Sequence, residues 1–144
     1  TFKGPGQARE GVLERQEIEF EVSDFGAARR FLEALGYRAY TSYEKLRETF
    51  LLDGVQVSLD AMPFGFFAEL EGPSAGAIRA AADKLGLDWN RRLTASYLDQ
   101  FEALKARLNL NADALTFEGF RGLTIRAEDL GVLPADAAEG KENR

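Results

Sequence analysis

The residues of this sequence best suited to chemistry are charged side chains that recur at every second position in three neighbouring segments. In a strand, alternate residues share a face, so Lys45 and Arg47 lie together with Thr49. The same face of the next two segments carries Gln56, Ser58 and Asp60, followed by Phe67, Glu69 and Glu71. If the segments pair as neighbours, two cations and three carboxylates meet on one sheet face. Such a face is a candidate surface for a polyanion and a metal ion.

A simpler interpretation of this pattern stays open. Antiparallel sheets often expose one face to water, and mixed charges are ordinary there. Periodicity alone therefore indicates either a functional face or a solvated one.

A fourth segment, residues 13–22, alternates as strictly. Its apolar face carries Ile18, Phe20 and Val22, and its charged face consists of Arg15, Glu17, Glu19 and Glu21. Neighbouring carboxylates on one face repel each other unless cations or a metal ion lie opposite. Lys45 and Arg47 could supply such cations. Alternatively, the charges protect a soluble edge strand from aggregation.

Composition excludes several kinds of active site. The 144 residues, 45% of them hydrophobic, are enough for one domain with its own core. The sequence has no Cys and no His, which excludes thiol nucleophiles, Ser-His-Asp triads and zinc sites built from these residues. Any metal would be held by oxygen, which favours Mg²⁺, Mn²⁺ or Ca²⁺. The net charge of −6 argues against a nucleic-acid partner.

Targeting signals are also absent from the given sequence. No apolar run approaches the roughly 20 residues that span a bilayer, and no signal peptide opens the chain. We therefore expect a cytoplasmic protein without a membrane partner. The chain begins with Thr1 inside a predicted strand, so we expect that its natural N-terminus lies further upstream.

The remaining pattern predicts an α+β fold with an antiparallel sheet and covering helices. Strands are predicted at residues 1–3, 13–22, 37–52, 55–60 and 66–71, and helices at 25–35, 75–85 and 91–108. A sheet with a charged inner face and an apolar outer face can close into a barrel, because its charges then line the lumen and no strand edge stays unpaired. The barrel domain is predicted to cover residues 1–108. Residues 109–144 form a C-terminal extension whose last ten residues are predicted to be disordered.

Two aromatic residues near the last long helix, Trp89 and Tyr97, have the shape to stack a nucleotide base. Tyr97 also falls at helical spacing with Phe101 and Leu104. This spacing favours a place in the core over a ligand site.

Six short motifs in order give these segments a family resemblance. They are TFKGP at 1–5, R-x-E-x-E at 15–19, E-K-x-R-E-T at 44–49, V-x-L-D at 57–60, G-x-F-x-E-x-E at 65–71 and SYLDQ at 96–100. Over about residues 1–104 the sequence resembles the CYTH domain. This is the family of class IV adenylate cyclases and thiamine triphosphatases, also called triphosphate tunnel metalloenzymes.

The resemblance implies an eight-stranded antiparallel barrel whose lumen binds a triphosphate and one or two divalent ions, Mg²⁺ or Mn²⁺. By motif position, it implies phosphate-binding roles for Lys3, Arg15, Lys45 and Arg47. It implies metal-binding roles for Asp60, Glu69 and Glu71, and acidic lumen positions for Glu17 and Glu19. Phosphoryl transfer needs little beyond such positioning and charge stabilisation, which is compatible with a sequence that lacks His and Cys.

The sequence departs from the family pattern in two places. The family's Glu-x-Glu-x-Lys strand near the N-terminus is absent from the residues given, and so is the arginine-bearing strand that follows it. Thr94 and Ala95 precede Ser96, where the family often has a lysine. The barrel is then expected to close only with strands from another chain, for example in a homodimer.

Three functions follow from this resemblance. The first is a metal-dependent phosphohydrolase acting on inorganic, nucleoside or organic triphosphates. The second is an adenylate cyclase that makes cyclic AMP; the fold does not separate the two, because they differ in which nucleophile attacks. The third is a polyphosphate- or nucleotide-binding module without catalysis, which the missing strand favours for the chain as given.

Overall fold

The computed structural model describes residues 1–136 and shows an α+β arrangement. The strands are β1 (Phe2–Lys3), β2 (Gln7–Arg9), β3 (Val12–Glu14), β4 (Glu17–Ile18), β5 (Leu46–Leu52), β6 (Val55–Met62) and β7 (Gly65–Glu71). The helices are α1 (Phe25–Ala34), α2 (Ala75–Lys84), α3 (Tyr97–Leu108) and α4 (Ala127–Leu130). The prediction that residues 135–144 are disordered lies almost entirely outside the described residues.

Strands β5, β6 and β7 form an antiparallel meander that confirms the predicted pairing of these three segments. The β5–β6 turn is made by Asp53 and Gly54, which both have positive φ (51° and 79°). Asp and Gly tolerate this conformation, which matches the twist of a hairpin. The turn fixes a register in which Arg47 lies opposite Asp60. Strand β5 is shorter than predicted, since it begins at Leu46 and not at residue 37.

The sheet is covered on opposite faces at its two ends. Near the hairpin turn, Val55 and Val57 point to α2 and form a small cluster with Ala81. At the other end of β6 the opposite face is covered, where Met62 packs with Phe101 of α3. Because α3 lies on the polar face, part of that face is buried.

Helix α3 begins later than its apolar periodicity predicts, at Tyr97 and not at residue 91. The reason is a capping box: the Ser96 hydroxyl accepts the N–H of Asp99 at 3.2 Å, and the Asp99 carboxylate accepts the N–H of Ser96 at 3.0 Å. These bonds satisfy N–H groups that the first turn of a helix leaves unpaired. Upstream, Trp89–Arg91 forms a separate 3₁₀ turn.

Residues beyond α3 contribute to the same core. Leu115 is fully buried, and Phe120 is nearly so and contacts the Phe101 ring at a centroid distance of 6.1 Å. Leu115 also forms a parallel β-bridge with Tyr43, just ahead of β5. The segment after residue 108 therefore packs against the α3 face of the sheet.

The strand predicted for residues 13–22 is wrong as a single element. Glu10 and Gly11, with φ of 51° and 81°, turn the chain so that β2 pairs with β3. The chain then passes to β4, which pairs instead with β1. Alternation of charged and apolar residues predicts one strand, but it does not reveal where the chain stops pairing with one strand and begins to pair with another.

A closed barrel is not formed by residues 1–136. The described strands make one three-stranded sheet and two separate two-stranded ribbons, and β5 and β7 each pair only with β6. A barrel needs a hydrogen-bond ladder that continues around all its strands. The α+β class is therefore observed, whereas the barrel prediction is not confirmed.

Helix α1 matches its predicted position and is capped by Asp24, whose carboxylate accepts the N–H of Ala27 at 2.8 Å. It nevertheless buries no residue, and its apolar side chains Phe31 and Leu35 are exposed. Within the described part of the chain, none of the helices has the length and apolar character needed to cross a bilayer.

Candidate functional site

The polar face of the sheet brings together the side chains that the two-residue period assigned to it. Arg47 of β5 lies opposite Asp60 of β6, which lies opposite Phe67 of β7. One pair further along, Thr49 lies opposite Ser58, which lies opposite Glu69. These cross-strand neighbours are close enough for their side chains to interact directly.

Asp60 is the centre of this face. Its side chain is completely buried, and three neighbours surround it: Lys45, Arg47 and Tyr97. Lys45 Nζ donates to Oδ2 at 3.0 Å, and Arg47 donates to both oxygens, from Nε at 2.6 Å and from Nη2 at 2.5 Å. The Tyr97 hydroxyl donates to Oδ2 at 2.9 Å. We call these four residues the Asp60 cluster.

The ion pairs of the Asp60 cluster keep its charges fixed. Burial by itself would raise the pKa of Asp60, but hydrogen bonds from Arg47, Lys45 and Tyr97 outweigh burial and lower it to about 2. The pKa of Arg47 is raised, mainly by its hydrogen bond to Asp60. At neutral pH, Asp60 is therefore a carboxylate and Arg47 a guanidinium cation.

Tyr97 joins the candidate site, although its helical spacing favoured a place in the core over base stacking. It is buried as predicted, but its hydroxyl reaches the Asp60 carboxylate and its ring lies 5.4 Å from Lys45 Nζ, a cation–π distance. The Phe67 ring meets it edge-on at 5.2 Å. Burial raises the pKa of Tyr97, and the charge of Glu69 and the bond to Asp60 raise it further. Tyr97 is therefore a neutral donor, and its place in the SYLDQ motif was the available signal.

The two other predicted carboxylates differ in their surroundings. Glu69 forms an ion pair with Arg47 Nη2 and is about one-third exposed. Glu71 lies at the next same-face position of β7, opposite Gln56, and is exposed. Glu69 thus extends the Asp60 cluster, while Glu71 lies beyond it.

The N-terminal candidates form a separate group. Lys3 Nζ and Arg15 Nε both contact Glu17 Oε1, at 2.7 and 2.8 Å, and these hydrogen bonds lower the pKa of Glu17. Glu19 accepts a hydrogen bond from the Thr1 hydroxyl at 2.9 Å. The interpretation that Lys45 and Arg47 balance the carboxylates of residues 17–21 is not what the structure shows, because both cations bind Asp60 instead.

The three predicted metal ligands do not fit a metal ion as they are arranged. Oδ2 of Asp60 accepts hydrogen bonds from Lys45, Arg47 and Tyr97, and Oδ1 accepts one more from Arg47. Within residues 1–136, no three acidic side chains converge into a group that could hold a metal ion. Oδ2 of Asp60 is therefore fully used by its neighbours, while Oδ1 accepts one hydrogen bond.

Within the Asp60 cluster, Lys45 and Arg47 are partly exposed, while Asp60 and Tyr97 are buried. One cleft in the described part of the chain is lined by residues around α4, from Arg126 to Pro134. Another lies between α2 and the β2–β3 turn, beside Arg79 and Trp89. Both lie away from the polar face of the sheet, and the convergence of charges is what marks that face as a candidate site.

Comparison with known proteins gives one match. The family model described as CYTH domain matches residues 1–103, which include the whole polar face and Tyr97. Neither the curated proteins nor the solved structures searched gave a match.

Proposed function

The chain belongs to the CYTH domain family, and from this premise we propose that it binds the triphosphate group of a small molecule and hydrolyses one of its phosphoanhydride bonds. The family binds triphosphate substrates and includes both triphosphatases and adenylate cyclases. The proposed binding surface is the polar face of β5, β6 and β7. Lys45 and Arg47 are its proposed phosphate ligands.

One observation supports this proposal above the others: Lys45 and Arg47 converge on a single oxyanion. Both donate to the Asp60 carboxylate, at N···O distances of 2.5 to 3.0 Å. A phosphate group offers the same kind of acceptor oxygens, and arginine binds them through its planar fork while lysine acts as a point charge. The side chains are 23% and 28% exposed, so a ligand can reach them.

The charge balance of this face indicates that two cations are not enough. Lys45 and Arg47 are matched by Asp60 and Glu69, so the four charges cancel. A triphosphate with about four negative charges needs further positive charge nearby. Lys3 and Arg15 are proposed to supply part of it, although they bind Glu17 in the present arrangement.

Divalent-metal dependence is general in the family. We propose that Mg²⁺ or Mn²⁺ accompanies the triphosphate, because these ions keep phosphate oxygens and waters as ligands and need few carboxylates. This fits the carboxylates of residues 1–136, which do not converge into a ready metal site.

The proposed contribution of the chain to hydrolysis is positioning and charge. Cations aimed at the transferring phosphoryl group stabilise the charge that develops in the transition state. Neither a histidine base nor a cysteine nucleophile exists in the sequence, so direct transfer to water is the simplest route.

The test is phosphate release from tripolyphosphate and from ATP, each with and without Mg²⁺ or Mn²⁺, together with tripolyphosphate binding by calorimetry. We expect binding and metal-dependent release from the native chain, and in Arg47→Ala an affinity lowered about tenfold to a hundredfold together with lower release. Asp53→Asn, which changes an exposed carboxylate in the β5–β6 turn, is the matched control and should behave as the native chain. Binding without turnover would assign a binding module, and cyclic AMP from ATP would assign a cyclase.

A further inference from the structure

We propose that Asp60 is the anchor that orients Lys45 and Arg47 for phosphate and that Tyr97 fixes this anchor. The inference rests on the proposed triphosphate binding and specifies how that site is organised. In this role Asp60 and Tyr97 are positioning residues, because they act through the two cations and do not touch the ligand.

The first support is the way Asp60 holds its partners. Its carboxylate lies at the bottom of the polar face with a fully buried side chain, while Lys45 and Arg47 stay partly exposed above it. Arg47 is held through two of its nitrogens, Nε and Nη2, which fixes the plane of the guanidinium group. Because this carboxylate is buried and paired, it fixes the direction of the Arg47 side chain.

The second support is what the anchor leaves available. Of the nitrogens of Arg47, Nη1 makes no hydrogen bond within residues 1–136, and Lys45 Nζ uses one of its three donors on Asp60. The anchored cations thus keep donors for a second anion. Asp60 directs its carboxylate to these partners, since Oδ2 accepts three hydrogen bonds and Oδ1 accepts one.

The third support is the position of Tyr97. The capping box between Ser96 and Asp99 fixes the first turn of α3, and Tyr97 is the first residue of that turn. Its ring is held by Phe67 at 5.2 Å and lies 5.4 Å from Lys45 Nζ. The hydroxyl therefore reaches Asp60 from a rigid helix and holds the anchor without adding charge.

The test is tripolyphosphate affinity without metal, in EDTA, for Asp60→Asn and Tyr97→Phe. We expect Asp60→Asn to weaken binding about tenfold, since the grip on both cations is lost. Tyr97→Phe keeps the ring and should weaken binding about threefold through the lost hydroxyl alone. The matched controls are Asp53→Asn and Tyr40→Phe at exposed positions, and both should stay within about twofold.

A metal-ligand role gives a different result. If Asp60→Asn binds metal-free tripolyphosphate as tightly as the native chain, and loses affinity only when Mg²⁺ is present, the anchor proposal is wrong. Tighter metal-free binding by Asp60→Asn would also overturn it, because Asp60 would then act as a competing anion. If the native chain binds tripolyphosphate only when Mg²⁺ is present, the affinities of the native chain and of Asp60→Asn are compared across a Mg²⁺ titration. A shift in the Mg²⁺ requirement alone would count against the anchor.

A double-mutant cycle separates positioning from general structural damage. When Arg47→Ala is already present, Asp60→Asn should weaken binding less than it does in the native chain, since one of the two cations it orients is gone. An equal additional loss would show that Asp60 acts through the fold. Circular dichroism verifies that each variant folds, and Tyr97→Phe keeps the test usable should Asp60→Asn fail to do so. Failure of the native chain to bind tripolyphosphate under any condition would instead reject the proposed function.

Discussion

The hydroxyl of Tyr97 donates a hydrogen bond of 2.9 Å to the Asp60 carboxylate across 37 residues of sequence. This bond joins the first turn of α3 to the middle strand of the sheet. It also places a neutral donor beside the two cations that hold the same carboxylate. The organisation of the polar face thus depends on a helix as well as on its strands.

Arg47→Ala is expected to lower tripolyphosphate affinity by about tenfold to a hundredfold. The substitution removes a charge-assisted fork and leaves Asp60 and Glu69 without their main counter-charge. Isothermal titration measures the affinity directly. Arg29→Ala on the exposed surface of α1 removes the same charge elsewhere and should change little. Equal affinity in the native chain and Arg47→Ala would remove this face as the phosphate site.

Glu69→Gln is expected to weaken the dependence on Mg²⁺ more than the binding of the anion itself. Glu69 contributes negative charge next to Arg47, so its removal does not reduce attraction for phosphate. The measurement is tripolyphosphate affinity across a Mg²⁺ titration. A Glu69→Gln variant that loses metal-free affinity but keeps its full Mg²⁺ response would contradict the proposed role of Glu69 in Mg²⁺ dependence.

Asp60 is expected to make the free energy of unfolding dependent on pH in the acid range. Its pKa is about 2 in the folded chain and 3.8 ordinarily. A lowered folded pKa gives stability that is complete above the ordinary value and is lost as pH falls toward 2. We expect a loss of about 1 to 2 kcal/mol from this group, less than the full shift because Lys45 and Arg47 are partly solvated.

Urea unfolding between pH 5 and pH 2 measures that loss. The difference in stability between the native chain and Asp60→Asn should shrink as the pH falls. A constant difference would show that the ionised form of Asp60 has no preferential partners in the fold. Asp53→Asn, the same change at an exposed position, corrects for the general effect of removing a carboxylate.

Phe101→Ala is expected to destabilise the chain by about 3 to 5 kcal/mol, the usual cost of emptying a buried aromatic site. Phe101 is completely buried and packs against Met62 and Phe120. Phe66→Ala is the contrasting control, because Phe66 is 90% exposed. Equal destabilisation by the two substitutions would mean that the α3 face is not the main core.

A homodimer is expected in solution. The chain exposes 11008 Å² of surface, whereas a compact monomer of 15.9 kDa exposes about 7,400 Å². The outer edges of β5 and β7 have no strand partner within residues 1–136, and apolar side chains of α1 are exposed. Light scattering after size exclusion gives the mass. A monomer at all concentrations would show that this surface is not covered by a second copy.

Much of the polar face could be predicted from the sequence because its determinants are local. The two-residue period assigns Lys45, Arg47 and Asp60 to one face, and the turn at Asp53 and Gly54 sets the register that puts Arg47 opposite Asp60. The cap at Asp24 also acts over three residues, but the cap at Ser96 was not predicted, because apolar periodicity placed the start of that helix at residue 91. Roles for these side chains in binding phosphate or metal remain predictions.

Only the tertiary structure decided what covers that face and which charges meet. Periodicity placed Tyr97 in the core, but its bond to Asp60 arises from the packing of α3 on the sheet, which no local pattern encodes. The same holds for Lys3 and Glu17, which pair because the chain turns at Glu10 and Gly11 and β4 returns beside β1. A two-residue period fixes which side chains share a strand face, while partners distant in sequence depend on how the elements pack.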